Sequence, residues 1–270
     1  VNVPIDLQCV WSDIQAIKKS SPLVHNITNY VVMENTANGL LAIGASPIMA
    51  HALDEVDDIV KIANSLVLNI GTLSPSWIQG MILALKAANA KGIPVILDPV
   101  GAGATSYRTE TAHSILNQGS VKVIRGNASE IASLSGSQAL TKGVDSLLNA
   151  TDCQNQAKIL ASKNRCVVWM SGQTDVVTDG QSSILIHNGH ALMSKVTGMG
   201  CMATAITGAF LAVNQNILLG CAHAAILMGV AGEIAAEKCK GPGSFKIEFL
   251  DTLYSLSLNE IEERICVDAL

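Results

Sequence analysis

Short apolar runs alternate with stretches of helical period through most of the chain. Residues 65–70 (SLVLNI), 94–98 (PVILD), 121–125 (VKVIR) and 166–170 (CVVWM) are brief, rich in β-branched side chains and bounded by turn residues. Strands buried on both faces read this way. After the first run, Ile78, Met81, Ile82, Leu85 and Ala88 recur at helical spacing. Ser74-Pro75 offers a cap followed by a proline suited to a first turn, and Gly92 a stop. Helices are also predicted over residues 128–134 and 154–161 and in the stretch after Gly200. Residues 174–178 and 182–187 flank Asp179-Gly180, a tight-turn pair, and predict one antiparallel hairpin at a sheet edge. Strand–helix–strand alternation calls for right-handed crossovers, so the expected class is α/β with a mainly parallel sheet. No repeat, low-complexity tract or long linker interrupts residues 1–270, which read as a single domain.

Residues 201–232 are the most apolar stretch, and 49% of the chain is hydrophobic, which raises the question of a membrane span. Asn214-Gln215-Asn216 breaks that stretch, and neither half reaches the roughly 18 uninterrupted apolar residues a span needs. Two buried helices and no membrane partner are expected. Residues 1–6 hold no positive cluster ahead of an apolar core, so no secretory signal is expected there. A net charge of −5 with no dense Lys/Arg stretch argues against nucleic acid as a partner. The seven cysteines are odd in number, widely spaced and without a CxxC pair. A disulfide framework or structural zinc site is therefore not expected, and a reducing, cytoplasmic setting is.

Ligands of open α/β sheets bind beyond the carboxyl ends of the strands, so chemistry is sought in the segments that follow each strand. Thr197-Gly198-Met199-Gly200-Cys201 places two glycines ahead of a long apolar helix. Glycines let the backbone approach a ligand, and a helix N-terminus adds partial positive charge, so an anion site suited to a phosphoryl group results. Cys201 falls in the first turn, where a thiol pKa is expected to drop. The plainer alternative is a tight turn beside a buried cysteine. The same glycines fit a dinucleotide pattern, but no Asp or Glu lies between Cys201 and Gly232 to hold a ribose, and that reading is rejected.

Asp98-Pro99-Val100-Gly101-Ala102-Gly103 puts a carboxylate at a strand end with glycines after it. Mg²⁺ keeps several waters and takes only one or two carboxylates, so Asp98 is a candidate ligand, an Asp capping a turn being the commoner alternative for this residue taken alone. Glu130, in Asn127-Ala128-Ser129-Glu130, is the candidate partner, although Asn127 and Glu130 also have capping-box spacing. Arg125, at a strand end, is a candidate to meet a nucleotide phosphate, a surface ion pair being the commoner alternative for a lone Arg. Among the histidines, His25 and His51 are candidates to line a substrate pocket, and no pair has metal-binding spacing. No Walker A or protein-kinase motif occurs, so a kinase of this kind must hold phosphates with glycine turns and a helix terminus.

Together, Gly-Met-Gly-Cys before a helix, Asp98-Pro-Val-Gly-Ala-Gly and Asn127-x-x-Glu130 resemble the ribokinase superfamily, and within it the hydroxyethylthiazole kinases. Residues 22–29 (PLVHNITN) and 44–51 (GASPIMAH) fit as well, and the likeness runs from about Pro22 to about Glu233. The resemblance implies a three-layer α/β/α sandwich and an ATP- and Mg²⁺-dependent phosphorylation. The acceptor it implies is the primary alcohol of 4-methyl-5-(2-hydroxyethyl)thiazole, in thiamine synthesis or salvage. It also implies a homotrimer with the thiazole at subunit interfaces. By motif, Met49, Gly198 and Asn26 would meet the thiazole, and Arg125, Ser171 and Asn127 the ATP. Asp98 and Glu130 would hold Mg²⁺, and Gly198, Met199, Gly200 and Cys201 would form the anion hole. Cys201 stands where most of the superfamily has an aspartate base, and Met199 where Thr or Ala is usual. Alternatives are a hydroxymethylpyrimidine or pyridoxal kinase, and a non-catalytic nucleotide- or thiazole-binding module. Retention of both Asp98 and Glu130 argues against the last.

Overall fold

All four expected strands and the hairpin form in the computed structural model, which describes residues 5–136 and 150–269. The described strands are β1 (Leu23–Ile27), β2 (Ser46–Met49), β3 (Ser65–Asn69), β4 (Val95–Asp98), β5 (Val123–Asn127), β6 (Val167–Ser171), β7 (Asp175–Thr178), β8 (Ser183–Ile186) and β9 (Val267–Ala269). They make one sheet in the order β2-β1-β3-β4-β5-β6-β7-β8-β9. The ladder is parallel from β2 through β6 and antiparallel from β6 through β9. The β7–β8 hairpin is thus near one edge, with β9 outside it.

Side-chain alternation divides the core into two layers. Val67, Ile96, Val123 and Trp169 face one cluster. Its helices are α1 (Leu7–Ser20), α2 (Met33–Ala42), α8 (Met199–Val213), α9 (Ile217–Lys238), α10 (Pro242–Ser255) and α11 (Leu258–Arg264). Leu66, Leu68, Val95, Leu97, Ile124, Val168 and Met170 face the other. There the helices are α3 (Val56–Ile62), α4 (Pro75–Lys91), α5 (Ser106–Gln118), α6 (Ala128–Ser135) and α7 (Ala150–Asn164). The result is the expected three-layer sandwich.

The cues for α4 act as read: Ser74 Oγ accepts from Trp77 N at 3.3 Å, Pro75 opens the helix, and Gly92 closes it with φ +82°. Met81, Leu85 and Ala88 face the core, as does Trp77. Asn216 divides the apolar stretch into α8 and α9 by capping Leu219 N at 3.1 Å. α9 is long and apolar enough to cross a bilayer, but 83% of its apolar window is buried inside this fold, where it serves as a core helix. β5 and β6 run further than their apolar runs, to Asn127 and Ser171, because backbone pairing continues through Arg125↔Trp169 and Asn127↔Ser171. β1 and β2 escape the apolar-run criterion because His25, Asn26 and Pro47 interrupt them. Pro47 is tolerated because β2 is an edge strand.

Candidate active site

The carboxyl ends of β4, β5 and β6 open into a cleft of about 1100 Å³ whose lining includes Asp98, Arg125, Asn127, Glu130, Ser171, Gly198, Met199, Gly200 and Cys201. Residues from four distant parts of the chain meet there. α8 starts at the cleft. Gly198 has φ +90°, and a Cβ on it would lie 2.9 Å from Val32 Cγ1. Asn35 Nδ2 ties down the preceding residue through the Thr197 carbonyl at 3.1 Å. The first rung of the helix is Met202 N to Gly198 O, 2.8 Å. The amides of Met199, Gly200 and Cys201 precede that ladder and form the positive end of the helix dipole.

Arg125 lies against this terminus. A Cβ on Gly200 would sit 2.6 Å from Arg125 Nη1, so only glycine leaves room for the guanidinium. The Arg125 Cζ is 5.3 Å from the Trp169 ring centroid. Its Nε is buried without a partner, and among the described residues no carboxylate is within ion-pair reach of it. A cation left unpaired beside three amide N–H groups is suited to an anionic ligand.

Asp98 is buried and accepts on Oδ2 from Asn69 Nδ2 at 2.9 Å and Thr204 Oγ1 at 2.7 Å. Oδ1 accepts no hydrogen bond among the described residues. Burial pushes this carboxyl up to about 6; the Arg125 charge opposes the rise and the Glu130 charge adds to it. Glu130 closes the capping box: its Oε2 accepts from Asn127 N at 2.8 Å, and Asn127 Oδ1 accepts from Glu130 N at 2.9 Å. Its second oxygen does more than a cap requires. Glu130 Oε1 accepts from Gly101 N at 2.8 Å, bracing the loop after β4. Arg108 braces the same loop from outside, donating to Val100 O at 2.7 Å and Gly71 O at 2.8 Å. Among the described residues no cluster of three metal-ligating side chains occurs. An open Asp98 oxygen with Glu130 nearby suits a hydrated Mg²⁺ shared with phosphates, which needs no protein cage.

Cys201 departs from expectation. Burial pushes its thiol up to about 12, and the Asp98 charge adds to that; hydrogen bonds from Asn69 and Asn29 and the Arg125 charge offset only part. Desolvation of the thiolate outweighs the helix terminus, so the expected drop does not occur. Asn29 Nδ2 donates to Cys201 Sγ at 3.5 Å and to Asn69 Oδ1 at 2.8 Å, while Asn69 donates to Asp98. Two amides thus link the sulfur to the buried carboxylate. Gly71 permits this, since a Cβ there would lie 2.6 Å from Asn29 Nδ2.

Met49 and Asn26 are not brought into the cleft lining. They face each other across the β1–β2 ladder, with Asn26 Nδ2 bonded to Val24 O at 2.8 Å and Met49 half-buried at the sheet edge. His25 Nε2 lies 2.7 Å from Ala50 O, and the His51 ring packs at a tilt against Trp77, centroids 4.4 Å apart; neither lines the cleft. Asn69 was visible as a polar end to an apolar strand. Asn29 lies in the 22–29 segment that fits the family but was not singled out, and Thr204 and Arg108 carried no signal of their own, because Asn69, Asp98 and Gly71 meet them only in the fold.

The model of the hydroxyethylthiazole kinase family matches residues 14–259. The chain belongs to that family. A hydroxyethylthiazole kinase of Oleidesulfovibrio alaskensis is 51% identical over 94% of this chain and 95% of its own length. One of Nitratidesulfovibrio vulgaris is 49% identical over 96% and 97%. The solved hydroxyethylthiazole kinase of Pyrococcus horikoshii OT3 is 40% identical, with a TM-score of 0.90 over 97% of this chain and 99% of that one. The chain is thus a phosphotransferase of the hydroxyethylthiazole kinase type, with a ribokinase-like fold. A pyridoxal kinase of Staphylococcus aureus bound to AMP-PCP and pyridoxal is 15% identical with a TM-score of 0.64, a likeness of fold alone. The identities thus separate this family from the pyridoxal kinase alternative, and membership in an enzyme family stands against the non-catalytic one.

Proposed function

We propose that the cleft binds MgATP and transfers its γ-phosphoryl group to the primary alcohol of 4-methyl-5-(2-hydroxyethyl)thiazole, serving thiamine synthesis or salvage, as one kinase domain over residues 1–270. The observation that carries this is the convergence of the α8 amides, unpaired Arg125 and the Asp98–Glu130 carboxylates on one cleft. Met199, Gly200 and Cys201 offer N–H donors to the moving phosphoryl oxygens. Arg125 adds positive charge, and Ser171 and Asn127 line the nucleotide side. Asp98 and Glu130 would hold Mg²⁺, which neutralises phosphate charge when bound.

Transfer forms a bond from the alcohol oxygen to the γ-phosphorus and breaks the γ-phosphorus bond to the β–γ bridging oxygen, which leaves on ADP. The alcohol proton passes to Sγ of Cys201 in its ionised fraction and then to solvent. With the thiol at about 12, that fraction at pH 7 is on the order of 10⁻⁵. Phosphoryl transfer through a loose transition state needs little help from a base, so such a site remains competent and slow.

Met49, Gly198 and Asn26 are assigned to the thiazole with a second copy of the chain completing the pocket, in a homotrimer. Support comes from the exposed Tyr30 and Val31, 66% and 64% accessible, and from the tilted ring contacts of Trp77 with Tyr30 and with His51, which follows β2. The cytoplasmic setting is supported by the free thiols of Cys9, Cys166, Cys201, Cys221, Cys239 and Cys266. Coupled detection of ADP with purified protein, Mg²⁺ and the thiazole alcohol tests the assignment. Turnover that depends on the alcohol and on Mg²⁺ is expected; alcohol-independent ADP release alone would overturn it.

A further inference from the structure

We infer that Trp169 and Asp175 are positioning residues that hold the Arg125 guanidinium unpaired and aimed at a nucleotide phosphate, an inference that rests on reading the cleft as the MgATP site. Arg125 and Trp169 are direct partners across the parallel β5–β6 ladder, so their side chains leave the sheet on the same face. The guanidinium carbon lies 5.3 Å from the indole centroid, within the range of a cation–π contact. The indole is fixed in turn: its Nε1 donates to Asp175 Oδ2 at 2.9 Å. Asp175 Oδ1 accepts from Gly172 N at 2.9 Å, which also holds the turn after β6. Both oxygens of Asp175 are therefore engaged.

This arrangement solves a problem specific to the site. A buried carboxylate next to an arginine ordinarily captures it as a bidentate pair and uses up its donors. Here Asp175 is engaged by the indole N–H and the Gly172 amide, and makes no ion pair with Arg125. Asp175 orients the ring, the ring face supports the cation, and the guanidinium N–H groups stay available to a ligand. On its far side Arg125 Nη1 is bounded by the Gly200 backbone, where a Cβ would stand 2.6 Å away. Arg125, Trp169, Asp175 and Gly200 all line the one cleft. The contact is unlike an ordinary core tryptophan packing, because the side chain above the ring is an arginine whose Nε is buried without a partner.

The test is Mg²⁺–AMP-PCP binding by calorimetry to R125Q, W169L, W169F, D175N and the double variant R125Q/W169L, each checked by thermal melting. W169L is expected to weaken binding about five- to tenfold, the size of a partly desolvated cation–π contact. W169F, which keeps a ring face, is expected to restore most of that loss. The double variant is expected to bind no worse than R125Q alone, because Trp169 acts through Arg125. In turnover, KM for ATP should rise in W169L while KM for the alcohol stays put. D175N should resemble W169L in direction. If W169L fails to fold, W169M, whose unbranched side chain adapts better to an irregular cavity, replaces it. Wild-type affinity in folded W169L with weakened R125Q, or additive losses in the double variant, would overturn the inference and leave the nucleotide reading of the cleft standing. Wild-type affinity in R125Q would instead overturn the assignment of Arg125 to the nucleotide.

Discussion

Gly200 leaves free the space that the Arg125 guanidinium fills: a Cβ on Gly200 would lie 2.6 Å from Arg125 Nη1. The second glycine of the turn therefore does a different job from the first. Gly198 supplies a left-handed backbone angle, φ +90°, whereas Gly200 supplies room for a cation beside the α8 amides.

Gly200→Ala tests this division. The clashing atom is the end of a flexible side chain, so the fold should adapt with a stability change of about 1 kcal/mol or less. Arg125 is displaced from the helix terminus, and kcat/KM for ATP should fall by about tenfold or more. Steady-state kinetics beside thermal melting separate the two effects. Full activity in Gly200→Ala would show that Arg125 does not need its place.

Cys201 sets a pH dependence whose sign follows from its raised pKa. Below about 12, the thiolate fraction rises tenfold per pH unit. If Sγ takes the alcohol proton, kcat should climb with pH from 7 to 9 under saturating substrates. Cys201→Asp, a far stronger acid than the thiol in the same buried setting, should carry much more ionised base at pH 7, flatten the profile toward pH 9 and keep or raise the rate, while Cys201→Ala should lower kcat far more than it raises KM for the alcohol. A flat wild-type profile would exclude the sulfur as proton acceptor.

Asp98 penalises the empty fold. Its native pKa of about 6 lies above its ordinary 3.8, so the folded state binds the proton more tightly than the unfolded one. Stability should therefore fall as pH rises from about 4 through about 6, by on the order of 2–3 kcal/mol. Asp98→Asn removes that penalty. It should melt higher than the wild type at pH 7.5 without Mg²⁺, and should lose Mg²⁺-dependent turnover. A lower melting temperature for the variant would contradict the burial argument.

Glu130 joins a cap to a loop through two oxygens. Glu130→Ala removes both the capping partner of Asn127 and the bond to Gly101 N, and should cost about 1–3 kcal/mol. Glu130→Asp is too short to serve both partners and should recover only part. Denaturant melts of both variants give the comparison; equal stability of Glu130→Ala and wild type would remove the structural role.

The parts legible in the sequence were those with local causes. Ser74, Pro75 and Gly92 punctuate α4 within one helix, and the apolar runs that became β3 to β6 needed no partner to be recognised. The glycine turn before α8, Asp98 and Arg125 could be placed at one sheet end because parallel strands bring their carboxyl ends together. What was not legible depends on distance or burial. Asn29 reaches Cys201 across 172 residues of chain. The sign of the Cys201 shift depends on how deeply the sulfur is desolvated, which spacing does not reveal. β1 and β2 contain a histidine, an asparagine and a proline that break the apolar pattern, and each is accommodated by a specific bond or by an edge position.

A crystal structure with AMP-PCP, Mg²⁺ and the thiazole alcohol tests the central claim most directly. The account requires the γ-phosphate to lie within hydrogen-bonding distance of the Met199, Gly200 and Cys201 amides, with the metal on the Asp98 side and the alcohol oxygen between the γ-phosphorus and Sγ. A γ-phosphate bound away from the α8 terminus would contradict it.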